Sequence, residues 1–267
     1  MHNGAIMPSE VEHRVDTGGG YPVVRLTGVL DADGGAGLRS ALLTVLADQP
    51  EAVIVDVSGL RLAHPGADGV LREVAADNAD WPAAHILLTA AHDAQRWHGT
   101  GLPVGPSPDD ALAELGVPDS QHRVSVAMDP VVGAARRGRE LVTEVCARWD
   151  CPDLAGPACI VLTEMVNNVV AHAQTPMTVM IARYAGQMSV AVRDRNPARP
   201  RFTGAPVSPT SYGGRGLLLI DSVATRWGHL ELPGGKVVWA LLHDEKGEPE
   251  PAGTRAGQAG MRRPARG

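Results

Sequence analysis

The chain has 267 residues, enough for about two domains, and 44% of them are hydrophobic, which suffices for real cores. Aromatics total 3%, with a single Phe, so those cores must rest on Leu, Val, Ala and Ile. The formal net charge is −6 and no basic stretch interleaves with aromatics, which argues against direct nucleic-acid binding.

Tyr21 to Gly28 alternates and ends in glycine, as a strand does. Leu38, Leu42 and Leu46 stand one helical turn apart. Ala52 to Val57 is a short continuous apolar run, suited to a central strand buried on both faces. The pattern predicts a helix over 66–76, a strand over 85–89 and a helix over 109–115. Strands alternating with helices imply an α/β unit of about one hundred residues.

In the second half, 122–127 reads as a strand and 131–149 as a helix. That helix carries Arg136, Arg137 and Arg139 beside Glu140 and Glu144. The run Leu162 to His172 places Glu164, Asn168 and His172 at i, i+4, i+8, on one face of a helix. Leu162, Met165, Val166, Val169 and Val170 fall on the opposite face. A carboxylate and a carboxamide one turn apart can share a hard cation that keeps waters and phosphate oxygens, as Mg²⁺ prefers. Downstream, Val190 to Asp194 alternates and ends in an acid. Gly213-Gly-Arg-Gly216 then leads into Leu217-Leu-Leu-Ile220. Glycines let a backbone approach a ligand closely, and a helix N-terminus favours phosphate.

Polar-faced helix, strand ending in Asp, Pro/Gly-rich loop, glycine turn, helix, hairpin: this order resembles the ATP-binding fold of gyrase, histidine kinases and mismatch-repair ATPases. Within that fold it resembles the anti-sigma-factor serine kinases of bacterial partner switching, over roughly 123–243. The resemblance implies ATP and Mg²⁺ as cofactors. Asn168 would hold Mg²⁺, Glu164 would be the catalytic base, and Asp194 would receive the adenine amino group. His172, Gly213, Gly214, Arg215, Gly216 and Leu217 would complete the nucleotide site, with a lid over 197–212. Three departures stand out. Arg195, Asn196 and Pro197 replace glycines after Asp194. Tyr212 stands where kinases of this type carry an arginine before the glycine turn, and Val237, after Lys236, replaces a threonine.

Thr27 to Asp31 and Val55 to Leu60 resemble the STAS domain of anti-sigma-factor antagonists, over roughly 11–117. In that family a serine at the start of a helix accepts phosphate. Here Pro65 and Gly66 replace the serine pair, so the acceptor position is degenerate. Ser58 reads as the end of a local turn rather than a phosphosite.

The expected fold is therefore a two-domain α/β protein. An N-terminal STAS-like domain precedes a C-terminal α/β sandwich with helices on one face of a mixed sheet. The expected boundaries are a flexible 1–10, a STAS-like 11–117, a linker 118–122, an ATP-binding 123–243 and a disordered tail 244–267. No apolar run approaches a membrane span, and Met1-His-Asn-Gly lacks a signal-peptide pattern, so a cytoplasmic protein is expected. Cys146, Cys151 and Cys159 fit no paired metal spacing, and Cys146 and Cys159 read as small buried hydrophobes. The expected function is that of a regulatory ATP-binding protein of the anti-sigma-factor type, a serine/threonine kinase if phosphoryl transfer occurs. Its partners would be a sigma factor, an antagonist protein, or a second copy of itself. The alternative is a scaffold with a vestigial nucleotide site. The short linker also implies that the two domains dock in cis, near the helix of Arg136 and Arg139 and near the lid.

Overall fold

The computed structural model describes residues 11–79, 84–184, 186–198 and 215–243. The expected flexible start, the expected disordered tail, Tyr212, Gly213, Gly214 and most of the expected lid lie outside these residues.

The N-terminal elements run β1 (Glu12–Asp16), β2 (Val23–Leu30), α1 (Ala32–Leu46), β3 (Ala52–Leu62), α2 (Gly69–Asn78), β4 (His85–Thr89), β5 (Val104–Gly105) and α3 (Pro108–Leu115). They form one sheet in the order β1-β2-β3-β4-β5. β1 is antiparallel to β2, and β2 to β5 are parallel. β3 is buried on both faces, as its apolar run dictates. Val53, Val55 and Val57 pack with α1 and α2, while Ile54 packs with Ala111 of α3. α1 begins well before Leu38, because Asp31 caps it by accepting from the Gly34 N–H at 2.9 Å. α2 begins later than predicted, at Gly69, since Gly66 at φ +92° keeps the chain in a turn. β1 and β5 were not legible as strands.

The C-terminal elements run β6 (Arg123–Met128), α4 (Ala134–Arg148), α5 (Pro152–Asn168), β7 (Met177–Tyr184), β8 (Gln187–Asp194), α6 (Arg215–Val223), β9 (Arg226–Leu232) and β10 (Gly235–His243). The sheet order is β6-β7-β8-β10-β9. Every pairing among these strands is antiparallel, which corrects the expected mixed sheet. Tight turns join β7 to β8 and β9 to β10, and a tight turn can only make antiparallel neighbours.

The two-residue period of the strands divides this sheet between two cores. Val179, Ile181, Val190, Val192, Ala240 and Leu242 pack with α4, α5 and α6. Met180, Ala191, Val237, Trp239 and Leu241 point the other way, and with Leu230 and Leu232 they join the N-terminal core. α1 packs against β9 across this seam. The seam is polar at one point inside, where the Gln49 amide donates to Ser189 Oγ at 3.4 Å, and at its rim, where Arg193 meets Asp48 at 2.8 Å. Fully burying one large apolar side chain is worth about 1.5–3 kcal/mol, whereas an exposed ion pair is worth under about 1 kcal/mol. Apolar packing therefore holds the domains together. The N-terminal domain does dock in cis, but on the face opposite α4, not beside Arg136 and Arg139. The alternating apolar residues of the outer face require a cover, whereas the apolar stripe of α4, with Val142, Val145 and Cys146, is already buried against α5.

Glu51 ties the junction. Its Oε2 accepts from Tyr21 OH at 3.4 Å and from the Asp119 N–H at 3.3 Å, and Arg123 of β6 lies 3.8 Å from Oε1. Burial, then the Glu51 charge, raises the Tyr21 phenol above its ordinary value. His122 hydrogen-bonds Asp119 at 2.6 Å and holds that exposed carboxyl below its ordinary value.

Candidate functional site at the Asp194 end of the sheet

α5 starts with proline at its first turn and buries Leu154, Ala158, Val161, Leu162, Met165 and Val166. With the π turn that follows, it forms 22 helical residues whose most apolar stretch has a mean hydropathy of 1.4, long and apolar enough to cross a membrane by length and composition. That corrects the reading that no segment is. Here the helix is enclosed by α4, α6 and the sheet, as a core helix is. Glu164 and Asn168 remain half-buried on it, one turn apart. Among the described residues neither side chain has a hydrogen-bond partner.

The α spacing ends at Asn168. Val169–Ala173 is a π turn, closed by Gln174 N–H donating to Val169 O at 2.7 Å. His172 stands inside this wider turn, and its side chain is exposed. Such π turns recur at functional sites. The chain then leads into β7, whose Met177 pairs with Asp194. Thr175 Oγ1 accepts from the Arg195 N–H at 3.0 Å and pins the end of β8 to the end of the helix. Asn168 and Asp194 thus belong to the same end of the domain.

Asp194 is buried, but not free. Cross-strand register places Lys236 of β10 directly opposite it, on the helix side of the sheet. The Lys236 ammonium reaches both carboxylate oxygens at 3.0 Å and donates to Asn196 O at 2.9 Å. Asn196 N–H donates to Asp194 Oδ1 at 2.7 Å. The side chains of Lys236 and Asp194 are 10% and 2% exposed. Gly235 makes the approach feasible, because any side chain there would strike Asp194 O. Lys236 is not among the site residues expected from the sequence. The available signal was a lone cation in an apolar strand, which burial obliges to find an acid.

A cavity of about 480 Å³ opens at this end of the sheet, lined by Thr178, Arg193, Asp194, Arg195, Pro233 and Gly235 among others. No residue of α5 lines it. Leu217 is 5% exposed and its side chain sits in the helical core, so only its backbone is available to a ligand. Gly213 and Gly214 lie outside the described residues. Arg215 and Gly216 open α6. Among the described residues no group of three His, Cys, Asp or Glu could hold a metal. At the Asp194 end, Oδ1 is taken by Lys236 and the Asn196 N–H, and Oδ2 lies 3.0 Å from the Lys236 ammonium.

The other sequence candidates resolve into structural roles. Pro65 is exposed in the turn before α2. Ser58 lies inside β3, at the register shift against β2, and not in a turn after the strand as expected; its Oγ accepts from the Ala91 N–H at 3.0 Å and its N–H donates to Asp56 Oδ1 at 3.1 Å. On α4, Arg136 pairs with Glu140 at 3.1 Å and Arg139 reaches Thr163 Oγ1 at 3.3 Å, an ordinary charged helix face. Cys146 and Cys151 are buried, and Cys159 is half-buried with its thiol 3.7 Å from Arg139 O.

Residues 131–241 match the histidine kinase-like ATPase domain family. An uncharacterised protein of Streptomyces coelicolor is 37% identical over 70 residues, which is 25% of this chain and 67% of that protein. Two solved structures are similar. An anti-sigma factor antagonist from Mycobacterium paratuberculosis aligns at 24% identity and TM-score 0.34, over 40% of this chain and 96% of the other. The RsbU and RsbW domains of a Mycobacterium tuberculosis protein align at 17% identity and TM-score 0.36, over 48% of this chain and 33% of the other. Residues 131–241 are thus similar to the histidine kinase-like ATPase domain family, and they follow a separate N-terminal α/β unit.

Proposed function

From that pairing of domains, we propose that the protein is a nucleotide-binding regulator of the anti-sigma-factor type, acting in partner switching through a sigma factor or an antagonist protein. The observation that carries this reading is the half-buried pair Glu164 and Asn168 on α5, without a hydrogen-bond partner among the described residues and at the same end of the domain as Asp194. Asn168 would hold Mg²⁺ with bound ATP, and the cation would offset phosphate charge. Glu164, one turn away, is placed to accept a proton from an attacking hydroxyl if phosphoryl transfer occurs. The STAS-like domain, fixed on the outer face, would act as a built-in modulator of the sheet that carries the site. Pro65 has no hydroxyl, so phosphate at that position would not release it.

Calorimetric titration with ATP and Mg²⁺ tests the reading. Binding is expected, with Asn168→Ala weakening its Mg²⁺-dependent part. Silence at millimolar ATP would leave the scaffold. Mass spectrometry after incubation with ATP should find no phosphate between Val57 and Val70, and stoichiometric phosphate on Ser58 would overturn the modulator role. The scaffold reading draws on one specific observation: Lys236 already pairs with the carboxylate that an adenine would need.

A further inference from the structure

The cavity of about 480 Å³ opens on the face of the sheet turned away from the helices. Strand register places it there. Its lining residues Ala127, Thr178 and Arg193 are cross-strand neighbours, in one row with Val237 of the outer-face core. Asp194 is the one acid in the lining, and its side chain is 2% exposed. That carboxylate stands on the other face, in register with Lys236 and with Met177 of the helical core, so Asp194 offers the cavity only backbone. The sheet thus separates this cavity from the Glu164 and Asn168 pair.

The polar side chains of the cavity are Arg193, Arg195 and Thr178. Among the described residues no acid pairs with the Arg195 guanidinium. Arg193 is held by Asp48 of the N-terminal domain at 2.8 Å, through one of its five N–H donors. The opposite wall is apolar, with Pro176, Leu232 and Pro233. Two guanidinium groups on one hollow repel each other, and an anion between them relieves that repulsion.

We infer that this cavity is a second binding site, for a small phosphomonoester. The inference does not depend on nucleotide binding at α5. A phosphate dianion matches the two guanidinium charges, and its three terminal oxygens can meet Arg193, Arg195 and Thr178 Oγ1 together. A single carboxylate brings half the charge and one oxygen fewer. Pro176, Leu232 and Pro233 receive the carbon part of the ester, and the volume falls in the range of about 300–1,000 Å³ usual for small-ligand pockets. Because Asp48 and the ligand share Arg193, the ligand competes with a contact that crosses the seam between the domains.

Calorimetry on the full chain with phenyl phosphate, at low salt in phosphate-free buffer with EDTA, tests this. Binding is expected with a Kd at or below about 1 mM. Arg193→Ala and Arg195→Ala should each weaken it about tenfold, since each removes a charge-assisted hydrogen bond. Asp48→Ala should tighten it about threefold, because it removes the competing carboxylate. Asp48 and Arg195 are both exposed, and their opposite effects cannot both come from misfolding. Inorganic phosphate and succinate should bind more weakly than phenyl phosphate. No binding at about 10 mM phenyl phosphate would overturn the inference. Binding that both arginine variants retain would overturn it too, as would binding that appears only with Mg²⁺, which would place the phosphate at α5. Equal or tighter binding of inorganic phosphate or succinate would overturn the assignment of an ester.

Discussion

The two faces of the C-terminal sheet are built from the same strands and solve different problems. The helix face packs Val179, Val190, Val192 and Ala240 under α4, α5 and α6, and at its edge it carries the ion pair of Asp194 and Lys236. The outer face presents Met180, Ala191, Val237, Trp239 and Leu241 to another domain. One face makes the fold and positions the site; the other makes the fold depend on a neighbour. Adjacent residues divide between these tasks, as Arg193 does toward Asp48 and Asp194 does toward Lys236.

The largest expected effect comes from the outer face. Trp239 is 4% exposed and lies over Gly228, whose added Cβ would fall 2.8 Å from the Trp239 ring. Trp239→Ala should cost about 3–5 kcal/mol in denaturant unfolding. If the seam carries the stability, the transition should also split into two, with the domains unfolding separately. A single transition with a loss under about 1 kcal/mol would show that the seam matters little.

On the helix face, Lys236→Met strands a buried carboxylate and should cost about 3–5 kcal/mol. The double variant Asp194→Leu with Lys236→Met should recover most of that loss, since a buried pair replaced by apolar groups is often neutral or better. Additive losses in the cycle would mean that the two groups act independently.

The helical layer offers a pH test. Burial, then neighbouring Cys151, pushes the Cys146 thiol up from 9.0 to about 12. A raised folded value means that folding favours the protonated thiol. This contribution is present below the unfolded value of 9.0 and is lost as pH rises toward about 12. The melting temperature should show no dependence on this thiol between roughly pH 7 and 8 and should fall above about 9, with Cys146→Ala flattening that fall. Native Cys146 should also resist iodoacetamide at pH 8, while Cys159 reacts first.

The smallest effect belongs to the rim of the seam. Asp48 is 74% exposed and Arg193 34%, so Asp48→Ala should cost about 0.2–1 kcal/mol, and less at high salt. A cost near that of Trp239→Ala would mean that the rim, not the apolar seam, holds the domains.

Legibility followed sequence distance. The buried run of β3, the leucine spacing of α1 and the helix of Glu164 and Asn168 were readable because their partners lie within a turn or a pleat. β7 was missed, although Met177 to Tyr184 is rich in apolar residues, because it lacks the glycine and alternation signals that mark β2. The outer-face residues were readable only as generic core. Nothing local says whether Trp239 faces a helix of its own domain or the helix of another.

The sequence by itself determined the α/β character, the polar stripe of α5, the loss of a hydroxyl at Pro65 and the acid that ends β8. These are properties of neighbours along the chain, fixed by helical pitch, strand period and side-chain chemistry. Only the tertiary structure decided that Lys236 closes on Asp194, 42 residues away, and that the N-terminal domain covers the sheet opposite α4. It also decided that the α-helix gives way to a π turn after Asn168, with His172 inside that turn. The reason is physical. A buried ammonium is tolerated only where strand register brings a carboxylate opposite it, and an apolar sheet face is stable only once something covers it. Both conditions are set by parts of the chain that approach each other only on folding.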